Sequence, residues 1–321
     1  MTPSARKASA LALEAPRREG RSDMTSGTVF SHEGLRNGTK RAQGFRASIQ
    51  SADRLRHALF GTVAAILAGL LATACLTKPD GKGKAVEEPN VSQTYVVQRA
   101  VSMAELTGQA RARLPRSQWD GAAWGKAETF TVGHFHERSS DHHPKVQGKL
   151  LYTDKGIYVI FKVDDRYVIS KHTEYQDPVC RDSCVEFFVQ PKPGKGYLNF
   201  EINCGGTLLL QYHERDKDGK DVCVPVPTEA AQGITIYHST PETVVPEISE
   251  ETTWYVEYFV PFSIFEHSVG PLGPVTGQAW RANFYKCADQ SSHPHWGAWA
   301  PIGEELSFHQ PRFFGTIRFA E

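Results

Sequence analysis

From Leu150 onward, apolar and polar side chains alternate in short runs, each closed by glycine or proline. Ile157–Val163 is β-branched and aromatic and opens on Gly156. Cys184–Val189 stops short of Pro191, and Tyr197–Cys204 stops at Gly205-Gly206. Thr207–Tyr212, Ile234–His238, Trp254–Val260, Trp280–Lys286 and Phe313–Phe319 complete the set of expected strands. Only Pro261–Phe265 reads as a short helical turn. Evenly spaced strands with Gly/Pro punctuation predict an all-β fold, an antiparallel β-sandwich, over residues 95–321.

Alternation also sorts side chains onto faces. Phe200, Ile202 and Cys204 oppose Asn199, Glu201 and Asn203; Val185, Phe187 and Val189 oppose Cys184, Glu186 and Phe188. On Trp280–Lys286, Ala282 and Phe284 oppose Arg281, Asn283 and Tyr285. If these three strands are neighbours, one sheet surface carries amides, carboxyls and aromatic rings. Sugars are recognised by such a surface, through paired acceptors and donors for hydroxyls and a flat ring for C–H groups. Any half-solvated sheet also alternates in this way.

The N-terminal region is different. Residues 1–57 are rich in Arg, Ser and Gly, have no sustained period, and read as a disordered basic leader. Ala58–Ala74, ALFGTVAAILAGLLATA, carries no charge, follows Arg54, Arg56 and His57, and ends at Cys75. A basic flank, an apolar run and small residues before a break make a secretory signal over residues 58–75. The run is shorter than the ~20 residues of a spanning helix. Leu71-Ala72-Thr73-Ala74-Cys75 resembles a bacterial lipobox, with Ala72 where Leu or Val is usual, which implies lipidation of Cys75. A leader of this length suggests a true start nearer Arg54. Residues 76–94 are polar with Pro and Gly, a flexible linker. The expected location is extracytoplasmic, with the membrane reached through the lipid or the apolar segment.

The 36 Lys and Arg balance 36 Asp and Glu, so nothing marks the chain as a nucleic-acid binder. Six cysteines, less a lipidated Cys75, leave an odd five that cannot all pair. Cys184, Cys204 and Cys287 read as small buried hydrophobes, and Cys180 with Cys223 as a candidate disulfide. Asp164-Asp165 after a strand offers carboxylate oxygens suited to calcium, or a turn with two solvated acids. The histidine clusters His134, His136, His142, His143 and His293, His295 fit no standard zinc spacing.

Several motifs in one order resemble family 9 carbohydrate-binding modules, and in particular the stand-alone bacterial branch. They are Trp119-Asp120, Leu150–Val159, Val163-Asp164-Asp165, His172–Tyr175, Asp182–Phe188, Asn199–Cys204, Trp254–Phe262, Trp280–Cys287, Ser292–Trp299 and Phe308–Gly315. Together they span Trp119 to Phe319. The resemblance implies a β-sandwich that binds poly- or oligosaccharide without cleaving it, with sugar held between tryptophan faces, and structural calcium. On that basis the stacking rings are sought among Trp296, Trp299, Trp119 and Trp124. The hydrogen-bonding ring is sought among Arg181, Glu186, Asn283 and Tyr285. Trp254 and Trp280, beside Val and Phe on alternating strands, read as core.

Catalytic signatures are absent from the sequence: no Gly-x-Ser-x-Gly elbow, no phosphate-cradling glycine loop, no His-Glu-x-x-His. A glycosidase needs two carboxyls about 5–9.5 Å apart. Asp182 and Glu186 on one regular strand would stand ~13 Å apart, whereas Glu186 and Glu201 on adjacent strands would be closer. The expectation is a non-enzymatic glycan-binding protein of the cell envelope that supports carbohydrate catabolism. The alternatives are a glycoside hydrolase using Glu186 and Glu201, or a structural envelope lipoprotein without sugar binding.

Overall fold

The computed structural model describes residues 91–100 and 119–321. The leader, the apolar segment with Cys75, and all but the end of the linker lie outside the described residues. The chain opens with β1 (Thr94–Arg99), β2 (Phe130–Val132), β3 (His134–Phe135), β4 (Lys145–Tyr152), β5 (Gly156–Asp165) and β6 (Val168–Ser170). Next come β7 (Cys184–Gln190), β8 (Tyr197–Asn203), β9 (Leu208–Arg215), β10 (Asp221–Pro225), β11 (Thr235–His238) and β12 (Val244–Ile248). The last elements are β13 (Thr252–Pro261), α1 (Phe262–Val269), β14 (Ala279–Cys287), β15 (Trp296–Ala298) and β16 (Gly315–Phe319).

The strands follow one another in the order β10-β9-β8-β7-β14-β16-β1-β4-β5-β13-β11, with β2 on β4 and β15 on β14. This ribbon curls into two layers. Phe187, Phe200 and Phe284 from one layer share a buried cluster with Val159, Phe161 and Val256 from the other. Phe284 joins the layers: it stacks on Phe187 at 5.1 Å and on Phe130 at 4.0 Å and meets Phe161 edge-on at 6.3 Å. The sandwich expected from the sequence is present, with one departure from antiparallel pairing. β1 runs parallel to β16 over Thr94–Val97 and then parallel to β4 over Gln98–Arg99, so a single strand seams the two layers.

Local chemistry explains the boundaries. Alternation drives β5, β7, β8, β13 and β14, whose inward faces are Val, Ile, Phe and Trp. Pro261 stands at the start of α1, the helix buries Ile264, Phe265 and Val269, and Gly270 at φ 75° ends it. Gly148 on β4 sits under the Phe130 ring, where any Cβ would fall 2.1 Å from a ring carbon. Only glycine lets β2 lie against the core there.

Three sequence expectations are corrected. Trp299 is not a free stacking ring: it is 8% exposed, packs at 5.4 Å on Phe284, and closes on Gly315. Trp119 and Trp124 are buried in a separate cluster with Leu151, Tyr158 and Ile160 on the outer side of β4 and β5. A large ring in a Trp-rich sequence covers an apolar sheet face as readily as it meets a ligand. Trp254 and Trp280 lie in the core, as read from their strands.

Trp299→Ala is therefore expected to cost about 3–5 kcal/mol of stability, as large-to-small changes of buried tryptophan do. Urea unfolding should show a lower midpoint at an unchanged slope; a midpoint within error of the parent would place the ring outside the core.

Candidate functional site

β8, β7 and β14 are neighbours, so the polar faces read from three separate strands form one surface. Register brings Tyr285, Glu186, Glu201 and Leu209 into one row across β14, β7, β8 and β9. The adjoining row is Asn283, Phe188, Asn199 and Gln211. Beyond β15 the chain crosses this surface to Gly315 with no regular structure but a 3-10 turn at Pro311–Phe313. The Tyr285 hydroxyl donates to the Phe308 carbonyl at 3.2 Å, and the Phe308 ring stacks on Tyr285 at 4.1 Å and 11°. Gln310 Nε2 donates to the carbonyls of Ser307 and Glu305, which closes the crossing segment on itself.

Between this segment and the loop after β14 lies a cleft of about 360 Å³, with Glu186, Glu201, Asp289, Trp296, Phe308 and His309 in its walls. Trp296 is partly exposed, and its indole N–H donates to Asp289 Oδ1 at 2.7 Å, which fixes the plane of the ring. His309 is held by its ring contact with the Tyr197 hydroxyl at 3.0 Å. Arg181, expected in the hydrogen-bonding ring, is exposed and is not among the residues that line the cleft, though it is close enough to Asp289 to favour that carboxylate's charge.

Glu186 and Glu201 are directly opposed on antiparallel strands and only 2% and 5% exposed. Burial pushes Glu186 well above the ordinary carboxylate range, and the charge of Glu201 adds to the effect. Burial pushes Glu201 up to about 7, against a 2.7 Å hydrogen bond donated by Asn199 that favours ionisation. Two opposed buried carboxyls cannot both ionise cheaply, so near neutral pH the pair holds at least one proton and offers both a donor and acceptors. Glu186 Oε1 accepts from the Cys287 thiol at 3.0 Å, while Oε2 is buried without a partner.

Two predicted hydrogen-bonding residues have other work. Asn283 is fully buried: its Oδ1 accepts from the amides of Phe284 and Ala300 and its Nδ2 donates to the Ala300 carbonyl, so it ties β14 to the crossing segment. Tyr285 is fully buried beneath Phe308 and supports the cleft from below. Glu186 and Trp296 line the cleft as expected. Phe308, His309 and Asp289 were not legible, because they sit on irregular chain where no period points them anywhere.

The remaining sequence candidates separate. Asp164 and Asp165 are consecutive on β5 and face opposite ways. Asp164 accepts from Thr253 Oγ1 at 2.7 Å. Asp165 receives His142 Nε2 at 2.8 Å and Trp254 Nε1 at 3.1 Å, with Lys286 Nζ at 3.6 Å. Its donors are an ammonium and N–H groups, so this pair does not fit an oxygen cage for calcium. The Cys180–Cys223 disulfide is also corrected. The described cysteines are free thiols. Cys223 pairs with His213 on the edge strand β10, and Cys180 lies at the other end of the strands beside Cys287. Cys184, Cys204 and Cys287 are buried, as read: Cys204 in the main core, Cys184 and Cys287 in a separate cluster on the other face of the sheet.

Lys286 is fully buried, donating to His295 Nε2 at 2.8 Å and to the Cys287 carbonyl at 2.9 Å. Burial and the Lys286 charge hold His295 down at about 3, so it stays neutral and accepts, with Nδ1 against the His293 carbonyl. Burial alone would raise Asp165, but the Lys286 charge and the hydrogen bond from His142 outweigh it and hold the carboxyl at about 2, below its ordinary 3.8. A depressed carboxylate stabilises the fold above its unfolded-state value, and the gain is lost as pH falls through the folded-state value. Acid unfolding should therefore set in between pH 3.8 and about 2. Asp165→Asn should cost about 3–5 kcal/mol by leaving Lys286 buried without its anion, and should flatten stability over that window. A variant as stable as the parent at pH 7 by denaturant unfolding would refute this.

A family model described as carbohydrate-binding family 9 matches residues 122–319. Among solved structures, a protein from Bacteroides uniformis proposed to bind carbohydrate is 26% identical at a TM-score of 0.61. That match covers 71% of this chain and 99% of the other. A family 9 carbohydrate-binding module from Caldicellulosiruptor kristjanssonii, solved with cellotriose, is 13% identical at a TM-score of 0.46. It covers 71% of this chain and 94% of that one. No curated protein matches the chain in sequence.

Proposed function

Because the chain belongs to carbohydrate-binding family 9, we propose that the cleft at Trp296 is where it holds a glycan, without cleaving it. The observation that carries this reading is the placement of a partly exposed, hydrogen-bond-fixed indole beside two buried, directly opposed carboxyls in one concave space. The indole offers a flat apolar face to the C–H side of a sugar ring. The Glu186–Glu201 pair offers a donor and several acceptors to hydroxyl groups, and His309 adds a polar ring to the wall. Of the expected ring, Trp296 and Glu186 remain, joined by Glu201 and Phe308. The N-terminal basic flank, apolar run and Cys75 support a lipid anchor that would hold the domain at the cell envelope.

Trp296→Ala should weaken binding to a responsive oligosaccharide by about thirty-fold, some 2 kcal/mol, as loss of a central aromatic contact does. Glycan-array screening with and without calcium, then calorimetry on the parent and variant, reads this out. Unchanged affinity in the variant would move the site elsewhere. A silent array with folded protein would favour the structural envelope role.

One observation favours a second reading. Glu186 and Glu201 are cross-strand neighbours, whose Cβ atoms stand about 5 Å apart, within the range over which retaining glycosidases place their carboxyls. A glycosidase, however, sets one protonated acid and one ionised carboxylate on either side of the scissile bond. Here both carboxyls rise from adjacent positions on one wall and both are shifted upward. Incubation of the protein with its bound oligosaccharides is expected to release no product. Turnover that disappears in Glu186→Gln would establish hydrolysis instead.

A further inference from the structure

Beside Glu186 the sheet carries two thiols that sugar binding does not use. Cys184 on β7 and Cys287 on β14 are directly opposed in register, on the outer face of the sheet. Glu186 lies two residues along β7 on that same face. One ligand atom from each of the three lies within 4.8 Å of the others, and all three residues are buried. The Cys287 thiol already donates to Glu186 Oε1 at 3.0 Å, while Glu186 Oε2 has no partner. Cys287 and Glu186 also line the cleft, which gives an ion a way in.

We propose that Cys184, Cys287 and Glu186 form a binding site for a thiophilic divalent metal ion, of which zinc is the physiological example. Tetrahedral Zn²⁺ with Zn–S bonds of about 2.3 Å sets its sulfurs about 3.8 Å apart, inside the spread these atoms already show. Two thiolates and a carboxylate make a three-ligand site, and the fourth position opens toward the cleft. Three protein ligands and one open position is the pattern of an accessible rather than a closed zinc site. Loading releases the two thiol protons, and the carboxyl proton where Glu186 carries it, to solvent, and one ion is then bound by two thiolates and the carboxylate. No oxidant or reductant takes part. The unpartnered Glu186 oxygen, costly in a buried place, becomes a ligand or accepts from a metal-bound water. The site does not depend on the glycan reading, since its test uses no sugar.

The test is titration of the full reduced chain with Zn²⁺ and with Cd²⁺ as an optical probe. One equivalent should bind. The cadmium form should show a thiolate-to-metal charge-transfer band of two thiolates, and zinc-edge X-ray absorption should show two sulfur scatterers at about 2.3 Å beside lighter atoms. Cys184→Ala and Cys287→Ala should each lose the two-sulfur signature, while Cys223→Ser keeps it. If either alanine variant fails to fold, the wild-type spectra still decide. A shell of nitrogen and oxygen only, or a single-sulfur shell traceable to Cys75 or Cys223, overturns the proposal. So does a two-sulfur shell that survives in Cys184→Ala. A protein that takes up no metal because Cys184 and Cys287 are found joined as a disulfide overturns it as well.

Discussion

The buried pair between Lys286 and Asp165 constrains much of what surrounds it. Lys286 is the last inward-facing residue of β14 and Asp165 the last of β5, so the pair spans the two layers at one end of the core. A fully buried ammonium is tolerated only if every donor finds an acceptor, and this one has a carboxylate, a neutral imidazole and a carbonyl. Replacing such a pair with apolar residues is often no loss, but breaking it is severe. It therefore acts less as a source of stability than as a lock on register. With Lys286 facing inward, Tyr285 and Cys287 must face outward, because side chains alternate along a strand. A slip of one residue in β14 would turn Tyr285 into the core between the layers and Phe284 to the outer face, and the outer surface that builds the cleft would be lost. The same network reaches His295, so the lock also seats the start of β15, which carries Trp296.

Regular structure was legible wherever period and burial agreed. β5, β7, β8, β13 and β14 announce themselves by β-branched and aromatic alternation, and the polar faces of β7, β8 and β14 proved to be contiguous. β1, β2, β3, β4, β6, β10, β12 and β15 were not read as strands. Most are short, and β1, β3, β6 and β12 pair with partners far along the chain, so for these tertiary contact rather than local pattern creates the strand. The site was half legible for a related reason. Glu186 and Trp296 stand on strands whose faces can be counted. Asp289, Phe308 and His309 stand on irregular chain that takes its path from tertiary hydrogen bonds such as Tyr285 to the Phe308 carbonyl and Gln310 to its own segment. Nor does sequence say which tryptophan is free. Trp299 is three residues from Trp296, and the two differ in that one enters a cavity beneath Gly315 while the other is turned outward by Asp289.

On the proposed reading, the cleft would select its ligand through what it leaves unsatisfied. Glu186 Oε2 is buried with no partner, and Glu201 and Glu186 press on each other's charge. An unpaired buried acceptor costs about 1–3 kcal/mol, and here that cost sits in a concave space lined by aromatic rings. A ligand with hydroxyls at the right height relieves it, while one of similar shape lacking them must leave the carboxyls unpaired and bury them further. Sites built to hydrogen-bond a hydroxyl discriminate against its absence far more strongly than apolar pockets discriminate by size. The rings of Trp296 and Phe308 thus supply contact with little discrimination, and the carboxyl pair supplies discrimination at a cost that only a polyhydroxylated partner or a cation removes. Sugar and metal would then compete for the same unpaired oxygen of Glu186.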